Sequence, residues 1–140
     1  MTKKKNNDTR AQKKILLIED EEEIRDLIIF SIASDDYYVA PFATAESGYS
    51  DLQSAKPDLI VVDWMLPGMD GIDLTKKVRT SKKYKTMPII MLTARGEEAD
   101  RERAFEAGVD RYITKPFSPK FLREQIKELL TKVDKTSQAR

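Results

Sequence analysis

Asp63 closes the apolar run Leu59-Ile60-Val61-Val62 and is followed at once by Trp64-Met65-Leu66-Pro67-Gly68. Such a run reads as a buried strand, so the carboxylate stands at its carboxyl edge, where open α/β sheets bind ligands. Ile15-Leu16-Leu17-Ile18 likewise runs into Glu19-Asp20-Glu21, and Ile89-Ile90-Met91-Leu92 runs into Thr93-Ala94. If the three strands are parallel neighbours, Glu19, Asp20, Asp63 and Thr93 meet in one small place. Like charges so close push at least one pKa upward. A hard divalent cation such as Mg²⁺ relieves them, with waters and phosphate oxygens completing its shell. Solvated acids at a helix amino terminus are the plainer account. It suits Glu21, Glu22 and Glu23 but not Asp63, which belongs to another strand. Asp63 is open to service as a metal ligand, as a nucleophile toward phosphorus, or as both. Lys115 follows a further short run and reaches the same edge as a point charge for phosphate oxygens, and Thr93 offers a hydroxyl. Taken singly, Lys115 reads as a surface lysine and Thr93 as a strand end; their convergence carries the functional reading.

The rest of the chain must position these groups. Between them lie amphipathic stretches: one carries Ile24, Leu27, Ile28 and Ile32 at helical spacing, and others cover residues 45–54, 72–80 and 97–107. The second of these is weakened by Gly48, and the last ends at Gly108. A weak strand is expected near Tyr38-Val39. Ser118-Pro119 opens a final helix whose buried stripe is Leu122, Ile126, Leu129, Leu130 and Val133. Five strands alternating with five helices imply an α/β, doubly wound five-stranded parallel sheet covered on both faces. The expected layout is a polar tail over 1–13, one domain over 14–132 and the start of a linker over 133–140. Trp64 reads as an apolar lid beside the site. Tyr112 reads as a packed aromatic or a moving part, and Lys115-Pro116 as a bond of either isomer.

Composition narrows the chemistry. The chain has 140 residues, 25 basic and 24 acidic side chains and no Cys or His. Disulfides, thiolate sites and imidazole bases are excluded, so chemistry falls to carboxylates, Lys, hydroxyls or a hard metal. Near-neutral net charge gives no bulk reason for nucleic-acid or membrane binding. No secretory leader or spanning run is visible, and a cytoplasmic location is expected.

In order and spacing, Ile18-Glu19-Asp20-Glu21, Asp63-Trp64-Met65-Leu66-Pro67-Gly68, Met91-Leu92-Thr93-Ala94-Arg95 and Tyr112-Ile113-Thr114-Lys115-Pro116-Phe117 closely resemble the receiver domain of bacterial two-component response regulators. The resemblance runs from about Lys14 to Leu130 and is greatest to the OmpR/PhoB class, PhoB-like regulators in particular. It implies a CheY-like, flavodoxin-like three-layer fold and a signalling domain rather than an enzyme. Asp63 would accept phosphate from a sensor histidine kinase. Asp20, Asp63 and the Met65 backbone carbonyl would hold Mg²⁺, with Glu19 acting through water. Lys115 would bind the phosphoryl group, and Thr93 and Tyr112 would switch toward it. The resemblance also implies a homodimer on phosphorylation, through a face carrying Arg101, Arg111, Phe121, Gln125 and Lys127. Arg111 stands where the class has Asp, Phe121 where it has Glu and Gln125 where it has Arg, so at least two customary ion pairs are missing. DNA would be reached only through an effector domain outside this chain, and no membrane role is implied. Two other readings share this fold type. A haloacid-dehalogenase-type phosphohydrolase needs a second Asp where Met65 stands. A flavodoxin-like FMN carrier needs a Ser/Thr/Gly-rich loop where 19–23 are acidic.

Overall fold

The computed structural model describes residues 12–138, and side chains through residue 132. Its five strands are β1 (Lys13–Ile18), β2 (Tyr37–Phe42), β3 (Leu59–Val62), β4 (Ile89–Thr93) and β5 (Arg111–Thr114). All pair in parallel, in the order β2-β1-β3-β4-β5. The register sets Ile18 beside Val62 and Thr93 beside Thr114. Glu19 and Asp63 therefore leave the sheet at one level, and Lys115 leaves β5 two residues further along. The strand order reverses between β1 and β3, which makes the crevice there the switch point of the sheet.

The near-continuous apolar runs follow from burial on both faces. Leu16, Ile18, Ile60, Val62, Ile89 and Met91 face one layer, with Leu52, Ile72, Leu74, Val78 and Ala104. Ile15, Leu17, Leu59, Val61, Ile90 and Leu92 face the other, with Ile28, Ile32, Leu122, Ile126 and Leu129. The helices supplying these layers are α1 (Glu22–Ile32), α2 (Ala45–Ser50), α3 (Leu52–Ala55), α4 (Gly71–Thr80), α5 (Glu98–Ala107) and α6 (Pro119–Gln138).

Six helices stand among the described residues where five were expected. The stretch 45–54 is divided at Asp51, which ends α2 and precedes α3, and Lys56 closes α3 with a left-handed φ of 47°. Gly48 lets α2 lie on β1, because a Cβ there would stand 2.6 Å from Ile18 Cδ1. Leu27 departs from the expected buried stripe and is 51% exposed. The stripe of α1 instead passes through Ile28, Ser31 and Ile32, and Ser31 is tolerated because its hydroxyl donates to the Leu27 carbonyl at 2.7 Å. The strand near Tyr38-Val39 extends over six residues and takes Pro41 without penalty because β2 is an edge. Ser118 accepts from the Phe121 N–H at 3.1 Å and starts α6. Gly108, at φ 118°, ends α5. Helix α6 continues to Gln138, so the expected linker start at 133 falls within it. The Val133 side chain and most of the 1–13 tail lie outside the described residues.

Candidate functional site

Glu19 and Asp63 are placed by the sheet itself. The Glu19 N–H donates to the Phe42 carbonyl at 3.0 Å, and the Asp63 N–H to the Ile18 carbonyl at 3.1 Å. From β5, the Lys115 N–H donates to the Thr93 carbonyl at 2.8 Å. The Lys115 side chain then crosses the edge, and its Nζ donates to Glu19 Oε1 and to Asp63 Oδ2, each at 2.8 Å. Glu19 is 1% exposed and Asp63 6%, whereas Asp20 faces solvent. A carboxylate oxygen from each of the three acids lies within 4.8 Å of the others. Thr93 is fully buried beside them. The sequence-derived cluster is thus one cluster in space.

Two buried carboxylates, Glu19 and Asp63, share one ammonium, and the protonation balance reflects that. Burial is the main force raising the Glu19 carboxyl above its ordinary value; the Lys115 hydrogen bond opposes it and the Asp63 charge adds to it. Burial also disfavours the Lys115 ammonium, but hydrogen bonds and charge from Asp63 and Glu19 outweigh it and raise that group. The asymmetry is physical: the ammonium has two anions, while Glu19 has one cation and a neighbouring anion. An all-oxygen donor set with surplus negative charge, one member open to solvent, fits Mg²⁺ better than a softer ion.

The loop after Asp63 is held tightly. The Met65 N–H donates to Asp63 Oδ1 at 3.2 Å, and the Gly71 N–H to the Trp64 carbonyl at 2.9 Å. Gly71 opens α4 directly against this loop, where a Cβ would collide with the Asp63 carbonyl oxygen and stand 2.9 Å from Trp64 Cα. Met65 lines a cleft of about 650 Å³ that reaches from Asp20, Asp63 and Lys115 to Ile24, Leu27 and Phe117. Leu27 forms part of that wall, which accounts for its exposure. The Lys115-Pro116 bond is cis.

Thr93 and Tyr112 both meet the backbone of Arg95. Thr93 Oγ1 accepts from the Arg95 N–H at 3.4 Å, and the Tyr112 hydroxyl donates to the Arg95 carbonyl at 2.6 Å. Burial raises the Tyr112 phenol above its ordinary value. Sequence reading gave Arg95 no role, yet its guanidinium lies 4.4 Å from the Trp64 ring centroid and 2.8 Å from Asp100. Arg103 approaches the same ring at 5.2 Å. Trp64 is 3% exposed, a covered side chain rather than a lid. Arg25 was also missed; it donates to the Glu19 carbonyl at 2.8 Å. An arginine on an amphipathic stretch carries no sequence signal for such a contact.

The remaining predicted residues lie on α5, β5 and α6. Arg101 stacks on Phe105 and Tyr112 at 5.5 and 5.6 Å. Arg111 donates within the chain, to Gln125 at 2.7 Å and to Glu128 at 2.6 Å. Phe121 is 46% exposed, and Lys127 is exposed.

Comparison with known proteins places this arrangement. Residues 15–127 match the response regulator receiver domain. Over 121 residues the chain is 41% identical to the phosphate regulon transcriptional regulatory protein PhoB of Escherichia coli, covering 86% of this chain and 53% of that protein. Over 118 residues it is 42% identical to the alkaline phosphatase synthesis transcriptional regulatory protein PhoP of Bacillus subtilis, covering 84% and 48%. Among solved structures, a CheY-like response regulator receiver domain protein from Methanospirillum hungatei superposes with a TM-score of 0.82 at 32% identity, over 90% of this chain and 99% of that one. The chain spans about half the length of the curated relatives it matches.

Proposed function

The chain belongs to the response regulator receiver domain family, and we propose that Asp63 is its phosphoacceptor. The observation that supports this most is the bridge from the Lys115 ammonium to Glu19 and Asp63 at the sheet's switch point. The domain is the receiver of a two-component response regulator, a signalling module rather than a classical enzyme. Its chemistry is then self-phosphorylation and autodephosphorylation. An Asp63 carboxylate oxygen forms a bond to phosphorus while the phosphorus–nitrogen bond of a partner kinase's phosphohistidine breaks. The freed imidazole nitrogen keeps the electron pair and takes up a proton. Asp20, Asp63 and the Met65 carbonyl would hold Mg²⁺, with Glu19 acting through water, and the ion would supply charge neutralisation at the phosphoryl oxygens. Lys115 shifts from sharing its ammonium between two carboxylates to holding a phosphoryl oxygen.

Thr93 then turns toward the phosphoryl group, giving up the Arg95 N–H, and Tyr112 moves inward. Both contacts converge on one short segment between β4 and α5, so a rearrangement there changes the α5–β5–α6 face. Homodimerisation through Arg101, Arg111, Phe121, Gln125 and Lys127, an appended DNA-binding effector half, a receiver core over 14–132 and a cytoplasmic location complete the reading. No helix among the described residues is long and apolar enough to cross a membrane. The test is intact mass after incubation with acetyl phosphate and Mg²⁺. The wild-type chain gains one phosphoryl group and the Trp64 fluorescence changes; Asp63→Asn does neither. A wild-type chain that stays unmodified overturns the assignment.

A further inference from the structure

The amino edge of the sheet, opposite the acid site, carries a second concentration of charge. No Asp or Glu occurs from Leu74 to Gly96, while Lys76, Lys77, Arg79, Lys82, Lys83 and Lys85 fall within ten positions. Arg79 is committed to structure. It donates to the carbonyls of Gly108, Lys85 and Met87 and pairs with Asp110 at 3.0 Å. That clamp fixes the loop between α4 and β4 against the start of β5. The five lysines are exposed, and none has a carboxylate of the described residues within 4.0 Å. Lys77 belongs to the last turn of α4, where a cation favours the helix terminus. Lys82, Lys83 and Lys85 lie past the Ser81 cap and gain nothing from it.

The chemistry of the patch selects its partner. The large apolar side chains that are exposed, Leu27, Phe30, Tyr38, Met65, Phe105 and Phe121, all lie outside it. A protein interface would need such an anchor, and a membrane surface would be gripped better with one. Lys77 and Lys83 rest over the rings of Tyr49 and Tyr84 at 4.6 and 5.6 Å, so what remains is a set of exposed cations without carboxylate partners around a clamped loop, the kind of surface that neutralises nucleic-acid phosphates. The course of α6 points the same way. It starts at the carboxyl edge beyond Lys115, and by Gln125 and Glu128 it is level with Arg111, the first residue of β5. Its later residues run on toward the amino edge, on the face of the sheet opposite α4. Relatives more than half as long again as this chain are transcriptional regulators.

We propose that the lysine edge formed by the end of α4 and the loop to β4 binds the phosphate backbone of duplex DNA without reading its sequence. The proposal rests on the reading of this chain as the receiver half of a DNA-binding regulator. In that setting the edge adds contacts beside those of the effector half.

The test is fluorescence anisotropy of a labelled duplex of about 20 base pairs and arbitrary sequence, titrated with this chain across a salt series. Binding is expected at low salt. Replacing Lys82, Lys83 and Lys85 by Gln should weaken it about tenfold or more and lower the log affinity–log salt slope by roughly two to three. The comparison variant replaces Lys3, Lys4 and Lys5 by Gln, an equal loss of charge in the amino-terminal segment, and should bind as the wild type does. In the wild type, DNA should also slow acetylation of Lys82, Lys83 and Lys85 by an amine-reactive ester, read by mass spectrometry. Binding lost with the amino-terminal variant alone, no protection of the loop lysines, or binding only to phosphatidylserine vesicles each overturns the proposal. Acetyl phosphate labelling of the same preparation separates the two readings. An unlabelled Asp63 with loop-dependent DNA binding defeats the phosphoacceptor assignment alone, and the reverse defeats this one alone.

Discussion

The carboxyl and amino edges of this one sheet both concentrate charge, and they use it oppositely. At the carboxyl edge, Glu19, Asp63 and Lys115 are withdrawn from water and locked to one another at 2.8 Å. In the cationic patch at the amino edge, Arg79 is drawn in, and the lysines around it stay in solvent. A buried charge must be met by a partner whose position is fixed, so the first edge is specific and costly to disturb. An exposed charge is tolerated anywhere, so the second is cheap to alter and acts only through an external counter-charge. Concentrated charge thus suits a reaction centre in one place and a docking surface in the other.

Removing the shared cation should break the contrast most sharply. Lys115→Met strands Glu19 and Asp63 without their counter-ion, and urea unfolding in the absence of divalent ions should show a loss of about 3 kcal/mol. Mg²⁺ should restore more stability to this variant than it adds to the wild type; an unchanged midpoint would mean the bridge is not needed. Next in size is Gly71→Ala. Its methyl group meets backbone rather than a flexible side chain, so overpacking should cost about 2 kcal/mol and slow labelling of Asp63 by acetyl phosphate. Normal labelling with full stability would show that the loop yields.

A smaller effect is expected from pH. The Glu19 carboxyl is raised above its ordinary value of 4.5, so the folded chain holds that proton more tightly than the unfolded one. Its contribution is complete below that ordinary value and is lost as pH rises through the raised one. Compared with Glu19→Gln in metal-free buffer, the wild type should therefore lose relative stability as pH rises from the ordinary value of 4.5 toward neutrality. A gain over that interval would reverse the assigned direction. The smallest effect belongs to the other edge: replacing Lys82, Lys83 and Lys85 together by Gln should shift unfolding by no more than about 0.5 kcal/mol. A larger loss would show that the loop is structural.

How much of this was legible in the sequence follows the same division. The strands could be read because burial on both faces demands uninterrupted apolar runs, and each run ends on the residue it presents. The cluster of Glu19, Asp20, Asp63, Thr93 and Lys115 needed only parallel pairing in register. What escaped was set by contacts between elements. The break at Asp51 has no proline to announce it. Leu27 keeps helical spacing yet turns into the cleft, because Ser31 takes the buried position with its hydroxyl satisfied by the helix backbone. Arg95 joins Trp64, Asp100 and the Thr93–Tyr112 pair through a fold-dependent approach, which composition and periodicity do not encode.

Helix α6 has a mechanical corollary. It is a rod of 20 residues, about 30 Å long, whose base adjoins the turn bearing Lys115 and whose tip clears the opposite side of the domain. A rotation of about 5° at the base carries the tip sideways by roughly 2–3 Å. Events too small to alter the outline of the phosphate site are thereby magnified into displacement at the far end, as a pointer magnifies the motion of its pivot.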